Sequence, residues 1–372
     1  MRKVYRDMML RKVSEQGLRW LAKRGWQYLM LQLSSLVKRP FCGPALGTLM
    51  VTYRCNYHCV MCDMPLMAGE YSRKGLREFS TERFRQIIGE FASLGVPGIG
   101  FTGGEPLLRE DIYDLLAFTR DRGMIAHLNT NGWLLDDEAA KRIITIGVDS
   151  VNVSLDGATA ATHDRIRNRP GAFDRATDAV ARLHYHRRKS GAAVRIKTVA
   201  VLDTSNLDEV PEMVSLGKEL GSDVIEFIPR QPFRTPDHEP AKGTDELLLN
   251  KVDTTVSYLL EQRRSGRIEN SAAHLRLFPG SFSGRPCSVR CRAAYNSLAV
   301  DCYGNVFPCV PRINWGRSAG NIGNTSLGEF WRTAKYQQER SAIGSCRKCY
   351  LNCQTELNLL FDMKSMLLRN TQ

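Results

Sequence analysis

Between residues 47 and 230 the chain repeats one pattern six times: a short apolar run, a turn, and then an amphipathic stretch. The apolar runs read LGTLMVTY, VPGIGFT, MIAHLNT, VDSVNVSL, VRIKTVAV and SDVIEFIP. They are short and often β-branched, which is typical of buried strands. Strands alternating with helices predict a parallel sheet with right-handed crossovers. Six units are too few for a closed eight-fold barrel, so the pattern predicts an α/β fold, a partial (β/α)6 TIM-like barrel.

The helices between these strands carry recognisable start and stop signals. The stretch STERFRQIIGEFASLG has Ser80 as a candidate N-cap, apolar residues at helical spacing, and Gly95 as a stop. The stretches EDIYDLLAFTRDRG and DDEAAKRIITIG also end on glycine. In barrels of this kind the active site collects at the C-terminal ends of the strands, and chemically suggestive residues follow several of the runs.

The predicted organisation has four parts. They are a basic amphipathic helical segment at 1–46, the barrel at 47–235, a linker and helix at 236–284, and a small cysteine-rich domain at 285–372. Four prolines between residues 229 and 243 indicate the linker. In the last part, LAVDCYGNVFPCV predicts a β-hairpin. This tail is too short for a large core of its own, so we expect bound metal to help hold it.

Ten of the eleven cysteines form two groups, and Cys42 stands alone as a small buried hydrophobe. Clustered cysteines in a cytoplasmic chain more often bind metal than form disulfides. The first group is Cys55, Cys59 and Cys62. A structural zinc site needs four ligands, and His58 inside the loop is poorly placed to be the fourth. Three thiolates would bind three irons of a [4Fe–4S] cluster and leave one iron open.

The C-x3-C-x2-C loop after the first strand resembles the signature of the radical S-adenosylmethionine (radical SAM) superfamily. GGEPLL, with Gly103, Gly104 and Glu105, follows the second strand as in the family's methionine-binding segment, and glycine there would let backbone approach a ligand. The other SAM-binding candidates are Asn129 and Asn131 in NTNG, and Ser154 with Arg165, which resemble a pair that holds the SAM carboxylate. The resemblance implies a SAM-binding [4Fe–4S] cluster, reductive cleavage of SAM, and hydrogen abstraction from a substrate by a 5′-deoxyadenosyl radical.

The second cysteine group resembles the SPASM or shorter twitch extension, which carries auxiliary [4Fe–4S] clusters. The pattern is Cys291-x12-Gly304-x4-Cys309 followed by CRKCYLNC, and it departs from the longer form because no cysteine follows Cys353. The resemblance implies one or two auxiliary clusters, with zinc as the alternative. The candidate ligands are Cys287, Cys291, Cys302, Cys309, Cys346, Cys349 and Cys353. Asp301 is either a proton acceptor, as in related enzymes, or a residue that hydrogen-bonds its own turn.

Three enzymatic functions fit this resemblance, and a reductant such as flavodoxin or ferredoxin is expected with each. One is oxidation of a small molecule, with the auxiliary cluster as electron acceptor. Another is peptide or protein maturation, although the 46 residues before the barrel are short for a peptide-recognition domain. The last is modification of a membrane-held substrate. A non-enzymatic iron–sulfur carrier is the alternative from a different class, and SAM cleavage separates it from the enzymes.

The first 40 residues carry ten of the Lys and Arg residues against only Asp7 and Glu15, in a chain of formal charge +13. Cations interleaved with Trp20, Trp26 and leucines resemble an interfacial helix that faces anionic lipid. A solvated helix packed on the main domain is the other interpretation, and no nucleic-acid module accompanies the segment. No run is long enough to span a bilayer, and no signal peptide is evident. The sequence therefore predicts a cytoplasmic protein, with peripheral membrane association as one alternative.

Overall fold

The computed structural model describes residues 12–231, 245–323 and 325–362. Within these ranges one nine-stranded sheet has the strand order β6-β5-β4-β3-β2-β1-β7-β8-β9. The first six strands are β1 (Leu46–Thr52), β2 (Gly98–Gly103), β3 (Ile125–Thr130), β4 (Ser150–Ser154), β5 (Arg195–Leu202) and β6 (Val224–Pro229). Neighbours among them pair in parallel. The partial (β/α)6 barrel is thereby confirmed.

Helices precede, separate and follow these strands along the chain. They are α1 (Leu18–Val37), α2 (Met64–Arg73), α3 (Thr81–Ser93), α4 (Ile112–Asp121), α5 (Asp137–Ile146), α6 (Ala160–Arg167), α7 (Ala172–Ser190), α8 (Val210–Glu219), α9 (Glu246–Arg264), α10 (Ala272–Leu275) and α11 (Phe278–Phe282). Ser80 caps α3 as predicted, and its side chain accepts a hydrogen bond from the Arg83 backbone N–H. Phe84, Ile87 and Phe91 of α3 are fully buried, and each side chain stabilises the fold by about 1.5–3 kcal/mol.

The cysteine-rich segment continues the same sheet. Strand β7 (Ser297–Asp301) pairs in parallel with β1, and β8 (Asn305–Phe307) returns antiparallel to β7, so the predicted hairpin is confirmed. The remaining elements are α12 (Val310–Asn314), β9 (Gly320–Asn321), α13 (Leu327–Arg332), α14 (Ala334–Ile343) and α15 (Asn352–Leu360).

The segment around α15 connects β6, at one edge of the partial barrel, with β7, which extends the sheet beyond β1. The Tyr350 backbone N–H donates to Gln231 Oε1, just beyond β6, at 3.0 Å. Ser297 Oγ in β7 lies 2.6 Å from Gln354 Oε1. The side of the barrel that six strands leave open is therefore spanned by the C-terminal part of the chain.

Gly103 and Gly104 bring the end of β2 onto the backbone that follows β1. A Cβ at Gly103 would lie 2.2 Å from the Thr52 carbonyl oxygen, and a Cβ at Gly104 would lie 2.2 Å from that of Arg54. The Gly104 N–H donates to Thr52 O at 2.8 Å, and the Glu105 N–H donates to Arg54 O at 2.9 Å. These glycines are thus required by a close approach within the chain itself.

We predict that Gly104→Ala destabilises the apo chain by about 1–3 kcal/mol, because the new methyl group must displace backbone that cannot yield cheaply. Gly328→Ala is the matched control, because its Cβ would meet no atom within 4 Å. Alanine there adds up to about 1 kcal/mol of helix propensity. Thermal unfolding followed by circular dichroism compares the two variants, and equal melting temperatures would contradict the steric account.

Candidate functional site

Cys55, Cys59 and Cys62 converge on the loop that leaves the C-terminal end of β1. The Cys62 N–H donates to the Cys59 carbonyl at 3.1 Å, which closes a turn between the two cysteines, and the Val60 N–H donates to Ile166 O at 3.0 Å. Burial, followed by the charges of the neighbouring Cys59 and Cys55, raises the pKa of Cys62 to about 12. The loop is therefore folded with its three thiols close to one another.

Arg167 is the buried cation that faces this loop. Its Nη1 lies 3.8 Å from Cys59 Sγ, and its Nε lies 2.7 Å from Asp156 Oδ2 in an ion pair. Asp156 Oδ1 in turn accepts a hydrogen bond from the Val201 N–H at 2.8 Å. Burial raises the pKa of Asp156, against the positive charge of Arg167, which lowers it. The pair thus fixes a positive charge beside a thiol.

The sequence interpretation missed Arg167 and Asp156, although the signal was present. Asp156 and Arg167 are eleven residues apart, as are Ser154 and Arg165. Arg165 is exposed on α6, and its Nη2 is 3.4 Å from Ser205 O. Ser154 is half-buried at the end of β4. A role for Ser154 and Arg165 in holding SAM stays a prediction.

Glu105 ties the end of β2 to the end of β3. Its Oε1 accepts hydrogen bonds from the Thr130 hydroxyl at 2.9 Å and the Leu107 N–H at 3.0 Å, and its Oε2 accepts from the Asn131 N–H at 2.7 Å. Burial raises the pKa of Glu105 to about 7, although these hydrogen bonds lower it. The Asn131 amide donates to Asn56 Oδ1 in the cysteine loop at 2.7 Å. Glu105 and Asn131 therefore position the loop.

Polar side chains line the inner face of the barrel. Asn152 donates to Asn129 Oδ1 at 3.0 Å, and Asn129 donates to Phe101 O at 3.2 Å. Lys197 Nζ lies 3.4 Å from Glu226 Oε2. Burial lowers the pKa of His127 to about 3, so this imidazole is neutral near pH 7. The interior thus offers amide, imidazole and paired charged groups to a polar substrate.

Six of the seven C-terminal cysteines form the second thiol group of the site. They are Cys287, Cys291, Cys309, Cys346, Cys349 and Cys353, and each affects the pKa of another member or is affected by one. Burial raises the pKa of Cys353 to about 12, and the nearby charges of Cys309 and Glu226 also raise it. Because Glu226 lies on β6 and pairs with Lys197, this group lies beside the barrel interior.

Cys302 lies apart from that group, in the hydrophobic core beside β1 and β7. Its Sγ is 3.7 Å from Glu78 Oε1. Burial raises the pKa of Cys302 most, and the negative charges of Glu78 and Asp301 raise it as well. Cys291, Cys309 and Cys346 thus share one cluster, Cys287, Cys349 and Cys353 interact electrostatically with its members, and Cys302 lies among apolar and carboxylate neighbours.

Asp301 hydrogen-bonds its own turn. Its Oδ1 accepts from the backbone N–H groups of Tyr303 and Asn305, and its Oδ2 accepts from the Asn305 amide and from the Tyr53 hydroxyl at 2.6 Å. Both oxygens are thus engaged by fixed donors. This geometry favours the turn interpretation over a proton acceptor that faces substrate.

The donors present fit the iron–sulfur groups that the sequence implies in kind and in number, while within the described ranges no three Cys, His, Asp or Glu side chains are already arranged around a metal-sized space. Three buried or half-buried thiols on one loop suit a cluster with one open iron, and the six grouped thiols exceed the four that close a second cluster. Thiolates are the ligands that such clusters require. Arg167 would balance negative charge on the first cluster, and Glu105 with Asn131 would fix its loop.

Comparison with known proteins agrees with this geometry. Residues 49–217 match the Radical SAM superfamily, and residues 291–350 match SPASM, an iron–sulfur cluster-binding domain. An AdoMet-dependent heme synthase of Methanosarcina barkeri is 28% identical over 80% of this chain and 86% of its own length. A PqqA peptide cyclase of Gluconobacter oxydans is 33% identical over 76% of this chain and 74% of its own.

A solved structure shares the fold. Streptococcus suis SuiB bound to its precursor peptide SuiA superposes with a TM-score of 0.65 at 15% identity, over 89% of this chain and 76% of that one. The chain belongs to the radical SAM superfamily and carries a SPASM domain. Its cofactors are a SAM-binding [4Fe–4S] cluster, SAM itself and auxiliary iron–sulfur clusters.

We predict that Arg167→Met destabilises the chain by about 3–5 kcal/mol, because it leaves Asp156 buried without its partner. Arg165→Met, two residues away on the exposed face of the same helix, should change stability by less than about 0.5 kcal/mol. Denaturant unfolding of the apo chain measures both variants. Equal losses would refute the assignment of Arg167 as the buried partner.

Iron content separates the two thiol groups and tests Cys302. The triple variant Cys55→Ala, Cys59→Ala and Cys62→Ala should lose about four irons and keep the rest. Cys302→Ala should keep all of them, whereas Cys309→Ala should lose iron from the auxiliary group alone. Anaerobic iron and sulfide analysis with Mössbauer spectra makes the measurement. Iron loss in Cys302→Ala that matches the loss in Cys309→Ala would make Cys302 a ligand.

Proposed function

We propose that this enzyme abstracts hydrogen from a peptide or protein substrate, with an auxiliary cluster as the acceptor of the second electron. The observation that carries the proposal is the position of Cys353 in the six-thiol group, near Glu226 of β6, whose carboxylate pairs with Lys197 on the inner face of the barrel. A substrate held in that interior would lie near this group. When bound at the loop, the reduced cluster and SAM supply the 5′-deoxyadenosyl radical.

The chain's own residues orient and shield that chemistry. Glu105 and Asn131 hold the cysteine loop against β3, and Arg167 places a positive charge 3.8 Å from Cys59. Asn129, Asn152 and neutral His127 offer hydrogen bonds without a net charge. Such a lining suits amide groups, which is one reason to favour a peptide. The second reason is the similarity to a relative named PqqA peptide cyclase.

A heme precursor is the second candidate substrate, because a relative named AdoMet-dependent heme synthase aligns over 80% of this chain. Lys197 and Arg195 on the inner face would meet its carboxylates. Both cations are paired, Lys197 with Glu226 and Arg195 with Glu269, with N–O separations of 3.4 and 2.7 Å. Because Glu269 and Glu226 already neutralise these two cations, the lining favours a peptide over a heme precursor with several carboxylates. Oxidation of another small molecule is the third candidate.

We further propose flavodoxin or ferredoxin as the reductant and a cytoplasmic location. Among the described residues, none of the helices combines the length and hydropathy that a membrane-crossing segment requires.

Deuterium transfer tests the substrate class before the substrate is identified. An extract that retains small molecules, peptides and proteins is prepared from the organism that encodes the protein, grown in fully deuterated medium. It is incubated with reconstituted enzyme, SAM and dithionite. Mass spectrometry then measures deuterium in 5′-deoxyadenosine. We expect deuterium incorporation that disappears when the extract is first digested exhaustively with a broad-specificity protease.

The Cys59→Ala variant, which removes one ligand of the SAM cluster, is the control and should produce no 5′-deoxyadenosine. Deuterium incorporation that survives protease treatment would overturn the peptide proposal. Activity with an added heme precursor would then support the second candidate substrate. SAM cleavage without deuterium incorporation, from both the digested and the undigested extract, would contradict hydrogen abstraction from a peptide in that extract.

A further inference from the structure

Helix α1 presents an apolar strip to solvent along its whole length. Leu18 and Leu36 are each 74% exposed, Leu29 is 61% exposed and Trp26 is 54% exposed. The spacings from Leu18 to Leu29 and from Leu29 to Leu36 are close to whole numbers of helical turns, so these leucines line one side. Leu21, Leu33 and Val37 widen the strip. An exposed apolar strip of this length in a monomer indicates an interaction surface.

The side of α1 opposite the strip is buried at Gln27, Leu31, Ser34 and Ser35, and further side chains bind the helix to the body of the protein, so the strip faces outward in a fixed orientation. The Gln27 amide donates to the carbonyls of Gly43 and Pro44 at 3.1 Å. Tyr28 stacks on Phe361 with ring centroids 4.9 Å apart. The Gln32 amide donates to Phe361 O at 3.0 Å. Contacts from two successive turns hold the helix, and none of them uses the side chains of the apolar strip.

Cations gather beside the strip in a pocket between α1 and the barrel. The cavity, of about 260 Å³, is lined by Arg19, Lys23, Arg24 and Arg122, together with Trp20, and no acidic residue lines it. Arg24 Nη1 is partly engaged, 2.9 Å from Gly95 O. The side chains of Arg19 and Lys23 have no ion pair or hydrogen bond within the described residues. These two cations remain available to a phosphate.

Helix α1 itself carries no Asp or Glu, and Lys38 and Arg39 follow it directly. In the sequence Arg2, Lys3, Arg6 and Arg11 precede it, outside the described residues. A second copy of this face would bring like charge to like charge. A surface with negative phosphates above apolar chains is complementary to both the cations and the leucines.

We propose that α1 docks the enzyme on an anionic phospholipid bilayer. The leucine strip with Trp26 enters the boundary between headgroups and acyl chains, and Arg19 and Lys23 at the pocket bind a lipid phosphate. The proposal is independent of the substrate class proposed above, because it concerns the far side of the barrel.

The position of α1 also sets the orientation of the bound enzyme. Its partners Gly95, Gly43 and Pro44 all precede strands, so α1 crosses the N-terminal edge of the sheet. The cysteine loop leaves the opposite, C-terminal end of β1. Because β1 has seven residues and a strand rises roughly 3.3 Å per residue, the two ends are about 20 Å apart. Docking thus turns the SAM site away from the bilayer. It localises the enzyme without presenting membrane lipid to the radical.

Vesicle co-sedimentation of the full-length, cluster-reconstituted protein tests the proposal without SAM or reductant. Wild type should sediment with vesicles of equimolar phosphatidylcholine and phosphatidylglycerol, and not with phosphatidylcholine alone. The double variant Leu29→Glu and Leu36→Glu should not sediment. Leu247→Glu is the matched control, because Leu247 is 76% exposed on α9, and it should bind like wild type.

A second variant tests the cations. The double variant Arg19→Ala and Lys23→Ala should bind vesicles about 30-fold more weakly, because each cation near an anionic surface contributes about 1 kcal/mol to the free energy of binding. Arg317→Ala, another exposed arginine, should bind like wild type. Melting temperature and iron content verify that every variant is folded.

Absence of wild-type binding to the anionic vesicles would overturn the proposal, as would full binding by the Leu29→Glu and Leu36→Glu variant. Light scattering coupled to size-exclusion chromatography tests whether a second copy of the chain, rather than a bilayer, binds the strip. A wild-type dimer that this double variant converts to a monomer, with no vesicle binding, would assign the strip to a second copy of the chain. Unchanged SAM cleavage by these variants keeps this test separate from that of the proposed function.

Discussion

The parallel pairing of β1 with β7 is the constraint on which the arrangement of the two thiol groups depends. Register places Gly47 opposite Leu298 and Met50 opposite Asp301, so the cysteine-rich segment is an extension of the barrel sheet. The loop that carries Cys55 leaves one of these paired strands, and the hairpin that leads to Cys309 leaves the other. A protein interior is close-packed and transmits displacement. The two thiol groups are therefore held in a fixed relation by one sheet.

Buried charge shapes the site more than exposed charge does. Asp156 and Arg167 form an ion pair beside Cys59, and Glu105 lies fully buried under three hydrogen-bond donors. Taking such groups out of water is costly, and only complete pairing offsets that cost. The surface charge of α1 lies at the other end of the strands. The buried charges at the cysteine loop and the exposed cations of α1 therefore lie at opposite ends of the strands.

The six strands, the capped helix after Ser80 and the hairpin at residues 297–307 could be predicted because each depends on local periodicity or turn chemistry. The pairing of β7 with β1 could not, since it joins strands about 250 residues apart and leaves no periodic signal. Two residue pairs with the same spacing, such as Ser154 with Arg165 and Asp156 with Arg167, cannot be distinguished by spacing alone. The sequence does not reveal that Arg167 points inward and Arg165 outward, or that Cys302 faces the core while its neighbours in sequence join a thiol group. Side-chain direction is set by packing on α6 and β7.

Binding of SAM to a cluster on Cys55, Cys59 and Cys62 is tested most directly by electron–nuclear double resonance. The reduced protein is measured with SAM whose amino nitrogen carries nitrogen-15 and whose carboxylate carries oxygen-17. Chelation of the open iron predicts hyperfine couplings from both nuclei in wild type, and none in Cys59→Ala. Tight binding of SAM to the reduced wild type without either coupling would contradict the assignment of these three cysteines to the SAM site.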